Sequence, residues 1–260
     1  NFHMSLEGTD LDKLALSTEK LLAGTDSEIT TVGYYCNPIQ YAEHRKTLEN
    51  VICTAGKFGA THVSTFAGAW EGKPVESAYE EFGKVFRELA DLAEEKGVKL
   101  GIENCLMDGT WEHATCNIGF NPKAWEVMFE EVKNDNFGLE WEPTHQMVQL
   151  IDPVTELRKW CKKIVHIHGK DATIDWDAVR HSGISGAVPF VWHRMPGFGD
   201  TNWRDIISIL RSNGYEDDIC IEGYHDPVYS GELEMTGQLH ALNYLKWCRG
   251  GDFTQTPWEK

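Results

Sequence analysis

Short apolar runs alternate with longer amphipathic ones along this chain of 260 residues. Ile29–Cys36 (ITTVGYYC) is rich in β-branched and aromatic residues and predicts a strand, with a helix over Tyr41–Phe58 after it. Thr61–Phe66 (THVSTF) predicts the next strand. In Ala78–Lys96 the apolar residues Phe82, Phe86, Leu89 and Ala93 recur at steps of three and four, the pattern of a helix with one buried face, and Gly97 supplies its stop. The alternation continues with strand Val98–Glu103, helix Lys123–Val132, strand Phe137–Glu142, helix Pro153–Lys162 with its proline in the first turn, and strand Ile164–His168. Lys170–Thr201 reads as a long loop with short elements of its own. Helix Asn202–Asn213, strand Asp218–Glu222 and a closing helix Leu233–Cys248 follow.

Six strand–helix units without a hairpin signal predict a parallel sheet covered by helices. A doubly wound nucleotide-binding sheet carries a glycine-rich turn after an early strand, and neither GxGxxG nor GxxxxGK[ST] occurs here. Polar residues collect instead at the C-terminal ends of several strands, as in a barrel active site. The expected fold is therefore an α/β (β/α)8 TIM barrel, a single domain over residues 1–260, since no shift in composition marks a boundary. A barrel needs eight strands. With six counted, one or two N-terminal strands are expected to lie outside this chain.

Alternate residues of a strand face opposite sides. In Val98–Glu103, Leu100 and Ile102 take the helix side, which turns Glu103 to the interior. In Phe137–Glu142, Leu139 and Trp141 face out and Glu142 in; in Ile164–His168, Val165 and Ile167 face out and His166 and His168 in; in Asp218–Glu222, Ile219 and Ile221 face out and Glu222 in. Glu103, Glu142, His168 and Glu222 are thus expected at one rim. A lone glutamate at a strand end is ordinarily a solvated loop residue, and a lone histidine in a strand an ordinary core residue; four such residues at equivalent strand ends make a site. Three carboxylates and an imidazole repel unless a cation compensates them, and this donor set suits one divalent ion, Mn²⁺, Co²⁺, Zn²⁺ or Mg²⁺. His145 follows Glu142 by three residues and lies within reach of metal or substrate.

Composition narrows the partners. Asp and Glu number 41 against 24 Lys and Arg, a formal charge of −17, which disfavours nucleic acid, whose phosphates need several basic contacts. No apolar run reaches the ~18–20 residues of a membrane helix. The opening Asn-Phe-His-Met-Ser-Leu-Glu-Gly has neither the basic start nor the apolar core of a signal peptide. Seven cysteines, an odd number without a CxxC pair, predict reduced thiols and a cytoplasmic location. Nothing in the sequence excludes a homo-oligomer.

The segments that carry these residues resemble the sugar-phosphate isomerase/epimerase superfamily of xylose isomerase-like TIM barrels, which also holds tagatose/psicose 3-epimerase, inosose dehydratase and endonuclease IV. The matching motifs are Gly101-Ile-Glu-Asn104, Leu139-Glu-Trp-Glu-Pro-Thr-His145, Val165-His-Ile-His-Gly-Lys-Asp171, Arg194-Met-Pro-Gly-Phe-Gly199 with Trp203, and Ile221-Glu-Gly-Tyr-His-Asp-Pro227, in the family's order. The resemblance implies that Glu103, Glu142, His168 and Glu222 are the metal ligands, on the last four of eight strands, and that His145 contacts substrate, with Asn104 of the first motif beside it. The second ligand is usually Asp, so Glu142 is one methylene longer. The arginine that the epimerases carry six residues after the metal histidine is Ile174 here, and Lys170 and Arg194 are its candidate substitutes. Of the ten tryptophans, Trp111, Trp141 and Trp192 fall in or near rim segments; parity puts Trp141 in the core, and Trp111 is the candidate to stack on a sugar face.

The implied activity is a metal-dependent sugar isomerase or epimerase. Glu103 and Glu222 would move a proton next to a carbonyl, through an enediolate, on a small carbohydrate. The alternative is an inosose-type dehydratase, a lyase with the same first step. A three-zinc endonuclease needs further His and Asp ligands, yet the early strand ends read Tyr35-Cys36-Asn37 and Thr65-Phe66-Ala67, and Val191 stands where that pattern has Asp two residues before His193. A non-catalytic sugar-binding barrel would have no use for both Glu103 and Glu222.

Overall fold

A computed structural model describes residues 4–251; Asn1, Phe2 and His3 of the opening segment lie outside the described residues. The chain starts with a helix that the sequence pattern did not announce, α1 (Leu11–Leu22), capped by the Asp10 carboxylate on the Lys13 N–H. Only Leu11 and Ala15 of this helix are buried, while Leu16 and Leu21 are exposed, so its apolar periodicity is blurred. Then come β1 (Thr31–Gly33), α2 (Ala42–Thr54), β2 (His62–Thr65), α3 (Tyr79–Glu95), β3 (Lys99–Glu103), α4 (Pro122–Glu131), β4 (Phe137–Trp141), the one-turn α5 (Pro143–Met147), α6 (Pro153–Trp160) and β5 (Ile164–Gly169). Next are β6 (Asp171–Ile174), α7 (Trp176–Ser182), β7 (Val191–Arg194), α8 (Trp203–Ser212), β8 (Ile219–Ile221) and α9 (Glu234–Arg249).

The six anticipated strands form a sheet in the order β1-β2-β3-β4-β5-β8, and the pairings from β1 to β5 are parallel. The fold is α/β and TIM-barrel-like, and among the described residues no strand precedes β1. The long segment Lys170–Thr201 holds short elements of its own, as expected. β6 and β7 pair antiparallel, Asp171 with Arg194 through Ile174 with Val191. Residues 175–190, including α7, separate them, so no short turn marked the pair in the sequence.

The chain divides into two compact units, one of residues up to His145 with Lys163–Ile167, the other of Gln146–Lys162 with the residues from His168 on. The division falls within β5. In the first unit α3 lays Phe82, Phe86, Leu89 and Ala93 against the sheet, all buried as its periodicity required. Phe82 stacks on Phe86 at 4.6 Å, and Phe129 of α4 approaches Phe137 of β4 at 5.6 Å. Truncating one such ring typically costs about 3–5 kcal/mol. Burial pushes the Cys36 thiol up to about 12, which keeps it protonated and unreactive at neutral pH. In the second unit α8 buries Trp203, Ile206, Ile207, Ile209 and Leu210, and α9 buries Ala241 and Leu245. No helix among the described residues is long and apolar enough to cross a membrane.

One expected orientation is corrected. Leu139 pairs with Ile164, but the next pair is Glu140 with His166, so Val165 is an extra residue in β5. A Cβ placed on Gly101 would meet a Val165 methyl at 3.2 Å, and one on Gly138 would meet the other at 2.6 Å. Val165 therefore points to the face of Gly101 and Gly138 rather than toward the helices. Such a bulge re-aims the residues that follow it, and two side-chain-free positions on neighbouring strands make room for it.

Gly138→Ala is expected to destabilise the protein by about 1–3 kcal/mol, the usual cost of overpacking, because its methyl would collide with Val165 and with the Lys163 carbonyl. Denaturant unfolding checks this. A midpoint equal to that of the unsubstituted protein would mean that the bulge moves freely.

Candidate functional site

Three buried asparagines hold the C-terminal ends of neighbouring strands in the first unit. Asn37, after β1, accepts from the Ala69 N–H (3.0 Å) and donates to the Ala69 carbonyl (2.9 Å) beyond β2. Asn117 accepts from the Ala67 N–H (2.9 Å) and donates to the carbonyls of Glu103 (2.9 Å) and Cys105 (2.8 Å). Asn104 donates to the Glu142 carbonyl (2.9 Å) and accepts from the Glu142 N–H (2.7 Å). These amides satisfy main-chain groups where the strand ladder has ended. Both amide atoms of Asn104 serve Glu142, so in this structure the side chain positions a neighbour.

Glu103 and Glu142 leave the ends of β3 and β4 with their main chains fixed in this way, and both are buried. Pro143 starts α5 directly after Glu142, and one turn later His145 brings Nε2 to 3.3 Å from Glu142 Oε1. An ionised carboxylate out of water needs partners of this kind. Trp111 donates its indole N–H to Glu76.

Beside these lies a polar group that the sequence reading passed over. The Tyr35 hydroxyl donates to Glu140 Oε2 (2.8 Å), His166 Nε2 lies 3.7 Å from Glu140 Oε1, and His166 Nδ1 lies 3.4 Å from Thr31 Oγ1. The His62 ring is 5.8 Å from that of His166. Tyr35 reaches across Gly33, where a Cβ would strike its ring. The parity that turns Glu142 inward turns Glu140 inward too, and this signal was available.

In the second unit, His168 Nδ1 lies 3.0 Å from Glu222 Oε2, and Lys170 Nζ lies 2.7 Å from Glu222 Oε1. The Glu222 N–H donates to the Gly169 carbonyl (3.1 Å), which seats the end of β8 beside β5. Lys170 is buried, and its ammonium and the imidazole fix both carboxylate oxygens of Glu222. Arg194 Nε donates to Asp226 (3.3 Å), which also accepts from the N–H groups of Met195, Val228 and Tyr229. Burial alone would raise the Asp226 pKa; those three N–H donors and Arg194 outweigh it and hold the carboxyl below its ordinary value.

Asp171, after Lys170, is another residue the sequence reading did not single out. It accepts from the N–H groups of Ala172, Gly197 and Thr201, and burial pushes its pKa up against those bonds. The glycines of the Met195–Gly199 segment follow from this. Gly197 sits at φ +94°, and a Cβ on Gly199 would collide with the Asp171 carboxylate. Ile174, at the position where the epimerases carry an arginine, ends β6 with its N–H on Asp200.

Each unit thus brings part of the candidate set together: Glu142 with His145 and Asn104 in the first, His168 with Lys170 and Glu222 in the second. Arg194 and Trp111 are held by Asp226 and Glu76. Carboxylate oxygens and imidazole nitrogens are donors that could hold a divalent metal ion.

The inosose dehydratase of Clostridium tetani (strain Massachusetts / E88) is 26% identical over 182 residues, 68% of this chain and 57% of that protein. The chain therefore spans a little over half the length of this relative. The crystal structure of the IOLI protein with a zinc atom bound superposes with a TM-score of 0.68 at 20% identity, over 96% of this chain and 85% of the other. D-psicose 3-epimerase, crystallised in the presence of D-fructose, superposes with a TM-score of 0.69 at 16% identity, over 95% and 86%. Likenesses at these identities speak for a shared fold. The sequence pattern described as xylose isomerase-like TIM barrel runs through residues 4–246, and this chain belongs to that family.

Proposed function

We propose that this protein is a divalent-metal-dependent enzyme that isomerises or epimerises a small carbohydrate by proton transfer next to its carbonyl. The observation that carries the reading is the His168–Glu222 contact, an imidazole nitrogen and a carboxylate oxygen converging at 3.0 Å, together with the register of the strands beside it. Glu103 ends β3 opposite Glu140. Glu142 and His168 are the residues that follow the last paired positions of β4 and β5, Trp141 and Ile167. In this reading Glu103, Glu142, His168 and Glu222 are the ligands of one Mn²⁺, Co²⁺, Zn²⁺ or Mg²⁺. The donor chemistry fits, since three carboxylates and a neutral imidazole leave a net charge near −1 around a dication. When bound, the ion would act as a Lewis acid on the substrate carbonyl.

The remaining steps belong to the chain's own residues. Glu103 ends β3 and Glu222 follows β8, two strands separated by β4 and β5 in the sheet order, which suits removal of a proton on one side of a carbon and its return on the other. Lys170 holds Glu222 Oε1 and so sets the direction of the other oxygen. His145 orients substrate oxygens, and Asn104 keeps Glu142 in place. A second reading, favoured by the name of the Clostridium tetani relative, is dehydration of an inosose-type ketone. It begins with the same proton abstraction and differs in the group that leaves afterwards.

Metal analysis of the purified protein is expected to give about one equivalent of divalent ion per chain, lost in His168→Ala and Glu142→Ala. Saturating Mn²⁺ or Zn²⁺ should raise the unfolding free energy by about 2.7 kcal/mol at a hundredfold excess over Kd. A chain that takes up no ion, or keeps it in both variants, contradicts the ligand assignment.

Glu103→Gln and Glu222→Gln, each reloaded and checked for metal, should lower incorporation of solvent deuterium at the carbon next to the carbonyl by about 10²–10⁴-fold. Near-normal exchange in a metal-replete double variant would move the chemistry to His145 or Lys170. Release of water into an unsaturated product would select the dehydratase.

A further inference from the structure

The loop after β8 holds a histidine in a conformation that histidine disfavours. His225 has φ +72°, a left-handed backbone costly for a side chain with a Cβ. The surrounding structure imposes it. Asp226, one residue on and almost wholly buried, is fastened by the N–H groups of Met195, Val228 and Tyr229 and by Arg194. Gly223, one residue after Glu222, lies so close to the Met195 side chain that a Cβ would collide with it. The result is an exposed imidazole three residues from Glu222. It packs edge-on against His193 of β7 at 5.6 Å between ring centroids, and the exposed Tyr224 ring lies 3.9 Å from it. Strain kept by four hydrogen bonds at a rim is a mark of a functional position.

The charges of the same loops limit what can bind there. Arg194 is committed to Asp226 and lies over the Phe198 ring at 5.8 Å. Lys170 is committed to Glu222. A phosphate ester would have to take one of these cations from its carboxylate, and the chain's −17 opposes a dianion as it approaches. Imidazoles that both donate and accept, beside an exposed tyrosine, instead match hydroxyl groups on an uncharged ring or chain.

We propose that His193 and His225 are specificity-determining residues that grip the hydroxyl groups of an unphosphorylated polyhydroxy ketone, with Asp226 holding His225 in its strained pose. This inference rests on the proton-transfer reading and names the substrate class for it. The test is equilibrium binding of inosose, D-fructose and D-fructose 6-phosphate to the metal-replete protein, with metal content and thermal unfolding followed in every variant.

At least one uncharged ketone is expected to bind ten times more tightly than the phosphate ester. His193→Ala and His225→Gly are expected to weaken it about tenfold, the size of one or two lost hydrogen bonds. His225→Gly should unfold no earlier than the unsubstituted protein, because glycine accepts the left-handed backbone. His225→Asn, which tolerates the same backbone and keeps a hydrogen-bonding group, should fall between. Unchanged binding in both the His193→Ala and His225→Gly variants overturns the proposal, as does equal or tighter binding of D-fructose 6-phosphate, or no binding of either uncharged ketone. Failure of the metal reading is seen separately, as absent metal in a protein whose ketone binding still depends on His225.

Discussion

Val165 fits where Gly101 and Gly138 have no side chains, and the candidate site depends on that fit. Without the bulge, Glu140 would pair with Val165, and His166 and His168 would fall on the helix side of β5. With it, Glu140 pairs with His166, and His166 and His168 share the inward face. A one-residue change in register moves every later side chain to the opposite face. The methyl groups of one valine, wedged against two glycines, thereby decide whether β5 offers imidazoles or isoleucine to the interior.

The strand ends are then held by side chains bonded to main chain. In the first unit Asn37, Asn117 and Asn104 continue the ladder past its last rung. In the second, Asp171 and Asp226 gather N–H groups of the loops after β7 and β8. Loops ordinarily provide chemistry at some cost in precision, and here buried amides and carboxylates supply the rigidity. The two aspartates respond in opposite ways. Burial prevails at Asp171 and raises its pKa, whereas the N–H donors and Arg194 prevail at Asp226 and lower it. The pinning of Asp226 keeps His225 in a backbone conformation it would not adopt alone.

The six strands and six of the helices were legible in the sequence because each carries a strong local signal. The steps of three and four from Phe82 to Ala93 are one, and the proline opening α6 is another. α1 was not legible, since only two of its residues are buried. Nor was the β6–β7 pair, whose strands meet across a helix. Parity picked out Glu103, Glu142, His168 and Glu222, and applied to the same strand it would also have found Glu140. Asp171 and Asp226 gave no such signal. Their importance lies in which N–H groups they receive, and those come from residues up to 32 positions away.

The sequence by itself determined the alternation of strands and helices, the family, and the residue types that collect at the strand ends, because these depend on local periodicity and on motifs a few residues long. Only the tertiary structure decided which way Val165 points, that Asn104 spends its amide on Glu142, that Arg194 and Lys170 are already paired with carboxylates, and that His225 is held at a positive φ. Each of these is set by contacts between segments far apart in the chain. Such contacts leave no period in the sequence, since an asparagine that caps a strand and one that binds a ligand are the same letter.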